Sequence, residues 1–343
     1  MTPHELARAL ARFARVPLVA GPTPIRRLKR LEAALGADAL GVALFVKRDD
    51  HMELGGGGNK LRKLEYLLGA ARAQRADTVL TVGALQSNHA RLTAAAAARI
   101  GLACELFLAR TVRRTDADYE HSGNLVLDAV FGARIVTLEP GSDALEAANA
   151  RAEVLAGLGR RACVIPTGGS TPLGALGYVR CALEIAGQER RSGWRFRQVV
   201  VPNGSAGTQS GLAAGFELLG RGAATVRGHS VLADLAPTRA ATLELTRSTL
   251  ALLGHPGDLD DDAIDLDGTH RGAGYGIPTD GMLAALRLLG ATEGLLVDPV
   301  YSGKALAGLM SDLAAGRYAR GDKVLFVMTG GTPGLYAYRS LFT

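Results

Sequence analysis

Four glycines run into an asparagine and a lysine at Gly55-Gly56-Gly57-Gly58-Asn59-Lys60. The apolar spacing of Leu61, Leu64, Leu67, Leu68 and Ala71 predicts a helix that starts there. Glycines let backbone approach a ligand closely, and asparagine is a residue type that caps helices. Lys60 then falls in the first helical turn, where the helix dipole disfavours a cation. That placement suits an amine held as an imine; a solvent-facing lysine behind a flexible loop is the plainer reading. The lysines are few: Lys29, Lys47, Lys60, Lys63, Lys304 and Lys323, within a total of 39 Lys plus Arg.

A second turn, Gly83-Ala84-Leu85-Gln86-Ser87-Asn88-His89, follows the apolar run Thr78–Val82. Ser87 and Asn88 would open a helix whose free N–H groups favour an anion such as a substrate carboxylate, beside the plainer reading of a simple cap. His89 has no Asp or Cys nearby in sequence and is expected to pack or orient. A third turn joins the strand Val199–Val201 to a helix through Asn203-Gly204-Ser205-Ala206-Gly207-Thr208. Its N–H donors suit a phosphate monoester. Neither a Gly-Lys-Ser/Thr ending nor a dinucleotide GxGxxG spacing is present, which points to a phosphorylated cofactor or a sugar phosphate. Tyr275 and Tyr301 stand in glycine-flanked loops of a chain that is only 5% aromatic, so both are candidates beyond packing. Thr329 ends the run Val324–Met328 with a hydroxyl available to a heteroaromatic nitrogen. An amine, a phosphate nest and a strand-end hydroxyl together indicate pyridoxal 5′-phosphate.

These turns need strands and helices to converge. Strands are expected at Ala43–Lys47, Thr78–Val82, Ala103–Leu108, Arg134–Leu138, Ala162–Ile165, Val199–Val201, Val226–Leu232, Leu295–Val297 and Val324–Met328, with helical patterns between most of them. Alternating elements of this kind make an α/β protein with parallel sheets and helices on both faces. Ligands of such sheets bind beyond the strands' C-terminal ends. Five turns rich in Gly, Ser, Thr and Asn are therefore the expected site: Gly55–Lys60, Gly83–His89, Thr167–Pro172, Asn203–Gly211 and Thr329–Gly334. Asp258–Asp267 reads as a solvated acidic connection, lacking the pattern of a calcium loop.

The 343 residues suggest about two domains. No apolar run approaches the roughly 18 residues of a membrane span. Three dispersed cysteines, Cys104, Cys163 and Cys181, exclude a disulfide framework and a CxxC metal cluster, and fit a reducing cytoplasm. The first residues lack a secretory pattern, and Glu5 counts against a transit peptide despite Arg8, Arg12 and Arg15. The net charge of +6 is scattered, which argues against nucleic acid as a partner.

Lys47-Arg48-Asp49-Asp50, Gly57-Gly58-Asn59-Lys60, Arg62-Lys63-Leu64-Glu65, Gln86-Ser87-Asn88-His89 and Asp298-Pro299-Val300-Tyr301 resemble the D-cysteine desulfhydrase and 1-aminocyclopropane-1-carboxylate (ACC) deaminase family. The resemblance runs from about Pro22 to Tyr338. It implies a two-domain, tryptophan-synthase-β-like fold of type II, with residues 1–55 and 172–343 as the larger domain and 56–171 as the smaller. It also implies a cytoplasmic homodimer acting on a small amino acid. Carried onto this chain, it makes Lys60 the covalent anchor of the cofactor and the base at Cα. Asn88 would lie near the cofactor's phenolic oxygen, Ser205 to Thr208 at its phosphate, and Thr329 at its ring nitrogen. Ser87 would receive the substrate carboxylate, with Tyr275 and Tyr301 near its side chain.

Within the family, ACC deaminases typically carry Glu after the tyrosine of the Asp-Pro-Val-Tyr motif and Leu at the strand end. This chain has Ser302 and Thr329, the desulfhydrase-like choice at both. The expected reaction is elimination from D-cysteine to pyruvate, hydrogen sulfide and ammonia. The alternatives are ACC deamination, L-cysteate sulfo-lysis, elimination from D-serine or 3-chloro-D-alanine, a catalytically idle cofactor-binding homologue and a sugar-phosphate isomerase without this cofactor. The lead-in His51–Gly56 and Leu61 depart from the family pattern.

Overall fold

The structure is a computed structural model that describes residues 1–342. Ten strands form two sheets. Their ranges are β1 Ile25–Arg27, β2 Ala43–Arg48, β3 Thr78–Ala84, β4 Ala103–Ala109, β5 Arg134–Leu138, β6 Ala162–Ile165, β7 Gln198–Asn203, β8 Val226–Ser230, β9 Asp265–Asp267 and β10 Lys323–Met328. The larger sheet has the order β1-β2-β10-β7-β8-β9, and the smaller β5-β4-β3-β6. All neighbours run parallel except β1 with β2.

Period-two burial explains why the larger sheet carries helices on both faces. On β10, Val324, Phe326 and Met328 join one core cluster, which includes Met282 and Leu306 from the helices Asp280–Glu293 and Ser302–Ala314. Leu325 and Val327 join the opposite cluster with Ile185 and Phe216, from the helices Pro172–Ser192 and Gly207–Leu218. A strand apolar on both sides is the signature of a doubly covered parallel sheet.

Two sequence expectations change, and one strand was not expected. Leu295–Val297 is no strand: both flanks of β10 are taken by β2 and β7, and the segment runs unpaired with Val297 buried and Leu296 exposed. The acidic stretch is only partly a connection, because its end forms the edge strand β9. There Asp265 pairs with Arg227 and Arg317 at 2.7 and 2.6 Å, and Asp267 with His229 at 3.3 Å. The opposite edge, β1, escapes a sequence reading because it has three residues, two of them exposed arginines.

Near the start of the Lys60–Ala73 helix lies a buried ionic network. Arg62 donates to both Asp49 oxygens at 2.8 Å and to Glu184 at 2.9 Å. Tyr178 and Thr23 hydroxyls donate to Asp49 at 2.6 and 2.8 Å, and Lys47 pairs with Glu184. Burial alone would raise the Asp49 carboxyl, but Arg62 and Lys47 hold it below its ordinary value. Removing Arg62 would strand buried negative charge, a loss of about 3–5 kcal/mol. Arg62→Met is therefore expected to lower the thermal unfolding midpoint by roughly 4–7 °C at pH 7, the shift per kcal/mol being small in a chain of this length. A carboxylate with a depressed folded pKa stabilises above its unfolded value of about 3.9 and loses that contribution as pH falls through the lower folded value. The gap between variant and wild type should accordingly persist down to about pH 4 and close in stronger acid. Calorimetry across pH checks this; equal midpoints at pH 7 would contradict it.

Candidate active site

The C-terminal ends of β3, β4, β6, β7 and β10 open onto one cavity of about 560 Å³. Every candidate site residue lines it: Lys60, Ser87, Asn88, His89, Asn203, Gly204, Ser205, Ala206, Gly207, Thr208, Tyr275, Tyr301 and Thr329. Each of the five turns contributes to its wall.

Lys60 is the first residue of its helix and is half-buried, facing the cavity. Its Nζ lies 3.1 Å from Asn59 Oδ1 and 5.8 Å from the centre of the Tyr301 ring. Burial pulls the amine down to about 8; Asp298 opposes the shift, and Arg91 adds to it. Asn59 does not cap the helix as expected, since its own backbone is already helical (φ −55°, ψ −23°). Its Nδ2 instead donates to Thr208 Oγ1 at 2.9 Å, tying the lysine turn to the Asn203–Thr208 turn. Lys304 lies outside the cavity, with its Nζ donating to the carbonyls of Arg271 and Gly274 at 2.6 and 2.9 Å. Lys47 is consumed in the Glu184 network.

The Asn203–Thr208 turn fits a phosphate. Asn203 Oδ1 accepts from Ala206 N–H at 3.1 Å and so shapes the turn around Ala206, which sits at φ +65° without being glycine. Thr208 and Gln209 then present first-turn N–H groups that find no acceptor among the described residues. Lys63, one helical turn beyond Lys60, reaches the same region, and its Nζ donates to Gly168 O and Ser170 Oγ at 3.0 and 3.2 Å. A Cβ on Gly207 would stand 2.6 Å from that Nζ and 3.1 Å from Ser170 Cα. Bulk at Gly207 thus collides with the protein itself, and a valine there would disturb more than ligand affinity. Lys63 was not among the expected site residues, although its i,i+3 spacing from Lys60 placed both on one helix face.

Ser87 caps the helix Asn88–Ile100, its Oγ accepting from Ala90 N–H at 3.1 Å. The N–H groups of Asn88 and His89 remain without an acceptor among the described residues, an arrangement suited to a carboxylate. Asn124 Nδ2 donates to Asn88 Oδ1 at 2.9 Å, which leaves the Asn88 amide N–H₂ as a donor to a ligand oxygen. Buried His89 shares a 2.9 Å hydrogen bond with Thr81 Oγ1, and burial, then Lys60 and Lys63, drive its pKa well down, so it stays neutral.

The hydroxyls of Tyr275 and Tyr301 lie 2.6 Å apart, and burial raises both, which keeps them protonated. Asp298 sets this side of the cavity and was missed from sequence. Its carboxylate accepts from Val300, Tyr301 and Ser302 N–H at 3.1, 3.0 and 2.8 Å, a local Asx turn that fixes Tyr301. Ser302 does not line the cavity. Its hydroxyl is buried against Asp298, so its bearing on substrate choice is indirect. Thr329 gives its carbonyl to Asn59 N–H at 3.0 Å and lines the cavity. Leu61 packs in the core with Leu64 and Leu68, which accounts for an apolar residue at that position.

The phosphate-fitting turn, the half-buried amine and the free hydroxyl together match the donor set that pyridoxal 5′-phosphate requires. Comparison with known proteins agrees. A D-cysteine desulfhydrase of Serratia proteamaculans (strain 568) is 42% identical over 337 residues, covering 97% of this chain and 98% of that protein. One from Salmonella newport (strain SL254) is 41% identical over 333 residues, covering 96% and 97%. The crystal structure of an ACC deaminase homologue superposes with a TM-score of 0.87 at 36% identity, covering 99% of this chain and 98% of its own. The family model described as "Pyridoxal-phosphate dependent enzyme" matches residues 16–330. The chain belongs to the pyridoxal-phosphate dependent enzymes, of fold type II.

Proposed function

We propose that the chain cleaves the Cβ–S bond of D-cysteine and, with one water, releases pyruvate, hydrogen sulfide and ammonia. The observation that carries this reading is near-full-length similarity to proteins of that activity, with every residue the reaction needs around one cavity. Bound pyridoxal phosphate supplies the electron sink for the pair left at Cα. Lys60 holds the cofactor and, when free, takes the Cα proton with an amine poised near neutrality. The Asn88 and His89 N–H groups and Ser87 receive the substrate carboxylate. Thr208, Gln209 and Lys63 face the phosphate, while Thr329 offers a neutral hydroxyl to the ring nitrogen. The hydrogen-bonded tyrosines stay protonated and can hand a proton to the departing sulfur.

The proposal includes a cytoplasmic homodimer. It also includes a larger domain of residues 1–55 and 172–343 and a smaller one of 56–171. In its support, the strands of the six-stranded sheet all fall in the former range and those of the four-stranded sheet in the latter. No helix among the described residues is long and apolar enough to cross a membrane.

A panel of D-cysteine, L-cysteine, L-cysteate and ACC, assayed for the keto acid formed, tests the substrate. Pyruvate from D-cysteine should dominate, with little 2-oxobutanoate from ACC; faster turnover of ACC or L-cysteate would overturn the ranking. Tyr301→Phe removes one proton donor while leaving the phosphate turn intact. Its kcat on the preferred substrate should fall roughly 100-fold, the scale of general acid catalysis, with cofactor content unchanged. An unaltered kcat would remove Tyr301 from the proton path.

A further inference from the structure

Arg91 is wholly buried on the helix Asn88–Ile100, one turn beyond Asn88. Its Nη1 donates to Gly55 O and, at 3.3 Å, to Gly57 O. Two carbonyls of the glycine run thus hang from one side chain. The run is tightly confined elsewhere. Gly57 lies at φ +74°, and a Cβ there would stand 2.1 Å from Asp50 O. Asn59 N–H reaches Thr329 O at 3.0 Å. Lys60 begins where this suspended segment ends.

Among the described residues, the remaining guanidinium nitrogens, Nε and Nη2, have no partner, and neither have both carboxylate oxygens of Asp128 and Oδ1 of Asn124. Asn124 and Asp128 lie one turn apart on the helix Asn124–Val130, and both are fully buried. Buried polar atoms in folded proteins are nearly always satisfied, by ordered water where protein groups do not reach. The two charges act on each other without a direct hydrogen bond. Burial raises the Asp128 carboxyl to about 7 against the pull of Arg91, and lowers Arg91 to about 10 against Asp128 and Asp298.

We propose that Arg91 is a positioning residue for Lys60, holding the glycine run by its two carbonyls and setting the field at the amine by its charge, with Asp128 as counter-charge across bridging water. The inference rests on the reading that Lys60 performs the amine chemistry. The groups that face that amine are Asp298, which favours its charge, Arg91, which opposes it, Lys63 and His89, both pushed toward neutrality by burial, and the Tyr301 ring.

Two measurements test it, and neither uses a substrate. Hydrogen exchange of the cofactor-loaded protein reads the peptide spanning 54–61. Pulsed acetylation of the full chain, stripped of cofactor, reads Lys60 reactivity against pH by mass spectrometry. Arg91→Met should speed exchange in this peptide several-fold and move Lys60 labelling to higher pH. Arg91→Lys keeps the charge, but its amine ends one bond short of the Nη1 position that holds both carbonyls, so it should speed exchange and leave the labelling profile in place. Wild-type exchange in either variant, or wild-type labelling pH in Arg91→Met, would overturn the proposal. Should Arg91→Met fail to fold, exchange in Arg91→Lys decides. A failed substrate panel would leave these readouts standing, and the converse also holds.

Discussion

The position of the Lys60 amine depends on a buried charge network that lies outside the cavity. Arg62 is two residues beyond Lys60, and its guanidinium is locked between Asp49, at the end of β2, and Glu184, on the helix Pro172–Ser192. A buried cation with two bound carboxylates cannot move without exposing several kcal/mol of unpaired charge. The first turn of the lysine helix therefore has one position relative to the larger sheet. The preceding glycines conform to it, with Gly55, Gly56, Gly57 and Gly58 all at positive φ. The familiar-looking Lys47-Arg48-Asp49-Asp50 and Arg62-Lys63 segments are in this light chiefly structural.

Around that amine, the cavity combines two helix starts, each offering free N–H groups to a different anion. The Gly207 helix offers N–H groups beside Lys63, where a phosphate would bring two negative charges. The Asn88 helix offers N–H groups beside neutral His89, where a single carboxylate suffices. Asn59 links the first of these to the lysine turn through Thr208, and Arg91 links the second through the glycine run. Both helix starts are thus tied to the same short segment.

The main sheet elements were legible because their patterns are local. β10 alternates between two apolar faces, and the strand-end turns announce themselves by Gly, Ser, Thr and Asn. The edges of the larger sheet were not legible, unlike β5 and β6 of the smaller: β1 is short and basic, and β9 is acidic because its side chains pair with Arg227, Arg317 and His229. At the site, the candidate residues were readable from turn chemistry, whereas the wall formed by Ala109, Thr111 and residues 141–145 was not. Asn59 to Thr208, Lys63 to Ser170 and Asp298 beneath Tyr301 were not, since each acquires its partner only when distant turns meet or a local turn closes. Ser302 shows the reverse case. Its place in a motif pointed to the cavity, yet its hydroxyl is spent on Asp298.

The central claim is that this architecture selects Lys60 as the residue that holds the cofactor. Lys63 is the nearest rival, since its Nζ also borders the cavity but is engaged by Gly168 and Ser170. Borohydride reduction of the cofactor-loaded protein, followed by peptide mapping, distinguishes them directly. The pyridoxyl group should be found on Lys60 alone. A label on Lys63 or Lys304 would contradict the account.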